Sequence, residues 1–397
     1  MDDYTGVREL IIWQPDLWRT PCLLVGDVLR DTDRDRDAFE QLWTLVDELL
    51  DGDAPEASLP AADSHWWPVW LAAGIAQEQD LPARTHLSRR DRIVRDSLVK
   101  WLVKLLETAG ALAPPERAHC GRALGLLCDP RPGVRLRSDG LPEIEWAEPA
   151  LPGQYPVGGD PAAWSPLSAD TVRLAYRYRL GKYLVTNAQF QAFADAGAEG
   201  YNNPAYWTPS GLEWKGDRRA PEEVGEGAFG LANHPRVNVC WYEVLAFCRW
   251  LSARYQALGL LGVGDEISLP TQIEWEVCAR GREGLLYPYG NEFDAAKGNV
   301  YDTGIGETSA VGIFPDGASP YGVLDMSGNV WEWCVTAYAD GSNDPSGEEV
   351  RVLRGGAWSD YGLDARACAR HNVGARPGGR GVVGFRLVCL PYSVKRC

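Results

Sequence analysis

Asp325-Met326-Ser327-Gly328-Asn329-Val330-Trp331-Glu332-Trp333, followed later by Leu353-Arg354-Gly355-Gly356-Ala357-Trp358, decides how the rest of the chain is read. Glycine interrupts both stretches, indole side chains recur, and neither carries an apolar repeat at helical spacing. Beyond residue 280 the sequence reads as turns and short strands. The chain holds 17 Trp in 397 residues, eight of them between positions 207 and 358. Such a loop-rich, tryptophan-heavy body is expected to be mixed α+β and to hold together by aromatic packing.

Further toward the N-terminus, three helices are expected inside this body. Thr186-Asn187-Ala188-Gln189 is a capping box, in which Thr and Gln satisfy each other's free amides, and it opens a helix through Phe190 and Phe193. A second helix begins near Trp241 and repeats Val244, Leu245, Cys248 and Leu251 at helical spacing. Thr271-Gln272-Ile273-Glu274 is another capping box, ahead of Trp275 and Cys278. The character changes at Asp129-Pro130-Arg131-Pro132, and 1–130 reads as a small helical domain. There, 37–50 places Phe39, Leu42, Trp43, Val46, Leu49 and Leu50 on one face and stops at Gly52. Residues 90–108 carry Leu98, Trp101, Leu102, Leu105 and Leu106 and end at Gly110, and a third helix is expected over 115–127. Residues 53–63, rich in Ala, Pro and Asp, read as a loop. No catalytic constellation is visible in this domain.

Composition narrows the function classes. A length of 397 residues implies two or three domains. With 45% apolar and 24% charged residues, wholesale disorder and collagen-like structure are excluded. No run of 18 apolar residues exists, so no membrane span is expected. Met1-Asp2-Asp3-Tyr4 lacks the basic lead of a secretory signal. A net charge of −16 argues against nucleic acid or an anionic membrane as partner. The expectation is a cytoplasmic protein. Its ten Cys, at 22, 120, 128, 240, 248, 278, 334, 368, 389 and 397, include no CxxC and no His pairing. They read mostly as buried small hydrophobes, neither a zinc site nor a disulfide framework.

Further motifs come in a fixed order around those already quoted: Tyr183-Leu184-Val185-Thr186-Asn187 with Phe190, His234-Pro235-Arg236-Val237-Asn238-Val239, Leu269-Pro270 with the second capping box and Trp275-Glu276, Tyr287-Pro288-Tyr289-Gly290-Asn291, and Gly384-Phe385-Arg386-Leu387. Together they resemble the formylglycine-generating enzyme (sulfatase-modifying factor) domain over 145–391. The resemblance implies a C-type-lectin-like fold, which hosts catalysts and pure binders alike. For the enzymes it implies two cysteines five residues apart that bind soft Cu(I) and oxidise a substrate cysteine. Here only Cys368 occupies that stretch, with Leu363 and Val373 five residues to either side, so no copper chemistry and no catalytic residue is expected. A related iron-dependent sulfoxide synthase needs clustered imidazoles. The five His, at 65, 86, 119, 234 and 371, are isolated, and His234 belongs to a structural motif.

The same resemblance extends to the variable proteins of diversity-generating retroelements, whose C-terminal ligand-binding segment is rewritten at AAC-type codons. The matching segment is 359–383. Changing either adenine of such a codon reaches fifteen amino acids and never Lys, Glu, Gln, Met or Trp. Those five make up 59 of the 397 residues, yet none falls among the 25 positions of 359–383. For independent positions that has a chance of roughly 2%. Thr, Ile and Phe, which the code allows, are missing as well.

The expected contact residues are therefore Ser359, Asp360, Tyr361, Leu363, Asp364, His371, Asn372, Val373, Gly374, Gly379, Gly381 and Val382, with Tyr361 as hot spot. Trp331, Trp333, Trp358, Arg354 and Arg386 form the constant scaffold, and Arg376 and Arg380 read as scaffold too. The resemblance also implies calcium near 299–305 and 325–332, with side-chain oxygens from Asn299, Asp325 and Glu332; Thr303 stands where the enzymes have an acid. Glu116-Arg117 and 121–132 resemble the seam before this domain in bacterial signalling or defence ATPases. No Walker motif is present, so such an ATPase would be a partner of the chain. The leading expectation is a non-catalytic binder of an unknown macromolecular ligand. The alternatives are a copper-dependent oxidase with a degenerate site and an adaptor in a signalling or defence complex.

Overall fold

The computed structural model describes residues 6–15, 17, 20, 36–78, 87–375, 381–391 and 396. The chain divides into two compact units, 1–130 and 131–397.

The first unit is helical: α1 (Val7–Trp13), α2 (Arg36–Leu50), α3 (Trp66–Glu78), α4 (Arg89–Glu107) and α5 (Pro114–Leu126). Helix α4 opens on a capping box, with the Ser88 hydroxyl accepting the Asp91 N–H and the Asp91 carboxylate accepting the Ser88 N–H. The buried Arg117 guanidinium on α5 donates to the carbonyls of Leu105, Leu106, Thr108 and Ala111, so it caps the C-terminal end of α4 with a cation. Periodicity gives no sign of α3, because every position over 68–76 is buried and the helix has no polar stripe. Among the described residues no helix is long and apolar enough to cross a membrane.

The second unit has the expected α+β, C-type-lectin-like architecture. Its helices are α6 (Asn187–Asp195), α7 (Pro209–Lys215), α8 (Trp241–Ala257) and α9 (Gln272–Arg280). Both Thr capping boxes form, at Thr186 and Thr271. Helix α8 carries a third that sequence reading missed, because a thiol is not an ordinary cap. There Cys240 Sγ accepts the Glu243 N–H at 3.4 Å while the Glu243 carboxylate accepts the Cys240 N–H at 2.9 Å.

Three small sheets surround these helices. Strands β1 (Gly153–Val157) and β2 (Asp170–Leu174) pair as a hairpin. Strands β3 (Arg179–Leu180), β9 (Val388–Pro391) and β4 (Asp265–Ser268) form an antiparallel sheet with β9 central. The third sheet has the order β7 (His371–Val373), β6 (Arg351–Arg354), β5 (Trp331–Ala337), β8 (Val383–Gly384), with β5 and β8 parallel. Every residue of β5 is buried.

Behind this sheet the rings of Phe190, Phe193, Phe247, Trp250 and Phe385 interlock at centroid distances of 5.4–6.1 Å. Cys120, Cys240, Cys248, Cys278, Cys334, Cys368 and Cys389 are buried free thiols, as their scatter predicts, whereas Cys128 is exposed. Cys22, Cys397 and His86 lie outside the described residues.

Candidate functional site

The segment 359–383 leaves the sheet after β6, crosses a run of turns, returns as the edge strand β7 and re-enters at β8. The scaffold grips it largely by its main chain. Buried Arg354 donates to the carbonyls of Ala367, Cys368 and Ala369 at 3.1–3.4 Å. Main-chain N–H groups of Tyr301, Trp331 and Trp241 donate to the carbonyls of Asp360, Val382 and Ala375 at 2.8–3.2 Å. Ser327 Oγ donates to the Ala365 carbonyl, and the Ala367 and Arg370 N–H groups donate to the Leu286 and Trp164 carbonyls. Strand β7 pairs with β6, bringing His371 opposite Leu353 and Asn372 opposite Val352. Trp358 Nε1 donates to the Gly381 carbonyl at 3.0 Å and joins the two ends of the segment.

The scaffold itself is closely bonded. Arg386 sends Nε and Nη2 to the two oxygens of Glu332 at 2.6 and 2.7 Å, and Trp275 Nε1 donates to the same carboxylate at 2.8 Å. Arg354 also pairs with Glu276 at 2.6 Å. Burial alone would raise the Glu276 carboxyl, but Arg354, the Gly158 N–H and Arg280 outweigh it and hold it below its usual range. Trp333 Nε1 donates to the Val239 carbonyl, and Trp358 packs against Phe229.

Side chains of 359–383 divide into an inner and an outer set. Ser359, Tyr361, Leu363, His371, Asn372 and Gly374 are exposed, with Asp364, Val373 and Val382 partly so. His371 lies beside Trp331, ring centroids 5.4 Å apart. Two expected contact positions are corrected. Asp360 points inward, its Oδ2 accepting from Trp331 Nε1 at 2.7 Å and from the Ala357 N–H at 3.0 Å. Burial raises its pKa even so. Gly381 is buried under Phe229, at φ +64°, and a Cβ there would lie 2.7 Å from the ring. Gly379, Arg376 and Arg380 lie outside the described residues.

Sequence reading missed Asp160, whose buried carboxylate grips Arg366 at 2.6 and 3.1 Å. It also missed Tyr301, whose ring meets Tyr361 at 4.9 Å. Neither stands near 359–383 in sequence, so only the fold reveals them.

The metal expectations meet the same detail. Cys368 is buried, and its thiol donates toward the Gly158 carbonyl and Glu276 Oε1 at 3.5 and 3.4 Å. Burial, then Glu276, pushes the thiol up to about 12. With exposed Leu363 and partly buried Val373 at the five-residue spacings, a Cu(I) thiolate pair does not fit. The calcium residues are largely committed to protein partners. Glu332 is taken by Arg386 and Trp275, and Asp325 Oδ2 accepts the Gly312 N–H at 2.7 Å. Burial raises the Asp325 carboxyl to about 6. Asn299 is fixed through Nδ2 to the Glu307 carbonyl and Ser309 Oγ; its Oδ1 alone remains without a partner. Among the described residues no three His, Cys, Asp or Glu are placed to hold a metal ion. Asp325 and Glu332 thus serve the scaffold.

Residues 150–390 match the family model described as the sulfatase-modifying factor enzyme 1-like domain. The chain belongs to this family. Within the sulfatase-modifying factor family it is 34% identical over 209 residues to a serine/threonine-protein kinase pkn1 of Chlamydia caviae, covering 48% of this chain and 30% of that one. It is 34% identical over 171 residues to the inactive C-alpha-formylglycine-generating enzyme 2 of Mus musculus, covering 40% of this chain and 49% of that one. The match therefore spans less than half the length of either relative. Among solved structures, the Treponema denticola variable protein 1 aligns at 23% identity and a TM-score of 0.46, over 63% of this chain and 96% of that one.

Proposed function

We propose that this chain is a non-catalytic binder within the sulfatase-modifying factor family, and that the outer side chains of 359–383 are a retroelement-diversified contact face for a macromolecular ligand. One observation carries the reading: the scaffold holds this segment chiefly through its carbonyls and N–H groups, which every residue except proline supplies in full. The exposed side chains of Ser359, Tyr361, Leu363, His371 and Asn372 can change without removing those bonds. The composition of the segment agrees, because it holds none of the five residues that mutated AAC-type codons exclude. Cys368, without a second cysteine and held as a thiol, supports the absence of copper oxidation.

The decisive test is the DNA around the gene. A near-copy of the codons for 359–383, differing only at adenines and lying beside a reverse-transcriptase gene, is expected. Without such a repeat the segment is a fixed loop, and an adaptor role takes precedence. Copper-dependent turnover of a sulfatase-type cysteine peptide, abolished by Cys368→Ser, would overturn the non-catalytic reading outright.

A further inference from the structure

An exposed aromatic patch joins the outer face of 359–383 to a segment some sixty residues upstream. Tyr301 and Tyr361, 59% and 58% exposed, meet at 4.9 Å with their planes inclined by 56°. Leu363 and Phe293 extend the patch, 57% and 40% exposed. The join is built into the backbone. The Tyr301 N–H donates to the Asp360 carbonyl at 2.8 Å, and the Gly362 N–H donates to Asp302 Oδ2 at 3.1 Å. Gly362 lets the Phe293 ring lie directly against the main chain, since a Cβ on residue 362 would stand 2.3 Å from that ring.

Among the described residues two carboxylates flank the patch, and the His371 imidazole also lies near Asp364. Asp302 is exposed, Asp364 is partly exposed, and neither forms an ion pair with a described residue. Burial and then the neighbouring Asp360 raise Asp364, so an added cation would relieve that carboxylate. Packed against each other at 56°, the two rings leave exposed faces on which a cation or an aliphatic stem can lie; a sugar ring would favour a single flat platform. The carboxylates oppose any polyanion.

We propose that the ligand face continues onto Tyr301 and Phe293, and that its occupant is a protein segment presenting an arginine or lysine side chain to the Tyr301–Tyr361 pair and to Asp302 and Asp364. The proposal rests on the reading of 359–383 as a ligand face and adds the chemistry of what it takes. Cation–π attraction and charge pairing act together on such a surface. Tyr301, outside the diversified segment, becomes an anchor that stays constant while its partners change.

Fluorescence anisotropy on the full chain tests this at about 0.15 M salt, where long-range attraction is screened. The probes are labelled Gly-Ser peptides carrying Leu and Phe with arginine, citrulline or glutamate at the same positions. The arginine peptide should bind about tenfold more tightly than the citrulline peptide, and Tyr301→Ala and Tyr361→Ala should each weaken it by about tenfold. Both variants keep the net charge of −16, and unchanged thermal unfolding shows that they stay folded. Equal binding of all three peptides, lost in Tyr361→Ala, overturns the cationic ligand and leaves the face standing. Arginine binding that neither tyrosine variant moves means general attraction to an acidic chain, and overturns the site. Absence of binding at ~1 mM peptide overturns the proposal as well. The adenine-marked repeat then shows separately whether the face itself falls.

Discussion

Strand β5 and the segment 359–375 lie in the same part of the fold and are held in opposite ways. In β5 the side chains make the structure: Trp331, Glu332 and Trp333 bond to Asp360, Arg386 with Trp275, and Val239, and every residue of the strand is buried. In 359–375 the main chain carries most of the bonding, and the outer side chains carry little of it. The first arrangement makes each residue irreplaceable, whereas the second makes identity cheap to change. A fold can therefore hold fixed shape and free composition a few ångströms apart, provided that different atoms do the holding.

The contrast breaks or sharpens through substitutions of decreasing effect. Arg386→Met should cost about 3–5 kcal/mol in chemical unfolding, because it leaves Glu332 buried without its counter-ion. A loss below about 1 kcal/mol would show that β5 tolerates change like its neighbour.

Asp325→Asn should act in the other direction. A carboxyl raised by burial to about 6 contributes stability that is full below the unfolded value near 3.8 and is lost as pH climbs through 6. Asparagine does not titrate, suits the positive φ of this position and can still accept the Gly312 N–H. The variant should be more stable by about 2–3 kcal/mol at pH 8 and little different at pH 4. Destabilisation at pH 8, together with a chelator-dependent Tm of the parent protein, would restore a calcium site.

Arg366→Ala tests the few side-chain grips inside the segment. Losing it strands the buried Asp160 carboxylate and should cost about 1–2 kcal/mol. Ser359→Ala, Leu363→Ala and Asn372→Ala should each stay within about 0.5 kcal/mol. Penalties near that of Arg366→Ala at these outer positions would erase the distinction between inner and outer side chains.

Much of the architecture is legible in the sequence because its signals are local. Capping boxes announce α6 and α9, glycine and tryptophan motifs mark β5 and β6, and the single cysteine near 368 removes the copper pair. Helix α3 escapes because uniform burial erases periodicity. The division of 359–383 escapes for another reason. Whether Asp360 or Tyr361 faces outward depends on an irregular turn and on contacts with 291–302 and 331, and no repeat within the segment encodes it. The calcium assignment fails at Glu332 because a motif gives an oxygen's presence and says nothing of the guanidinium already bound to it.

The bond from Trp358 Nε1 to the Gly381 carbonyl has a consequence for chain length. Both ends of the segment are clamped by the scaffold, so the entropy of closing the loop is set at the clamp and grows only logarithmically with what lies between. Doubling the enclosed residues costs about 0.6 kcal/mol. That low cost holds only for residues added between successive main-chain grips, because a length change within β7 or across 365–370 would break the pairing with β6 or the bonds to Arg354.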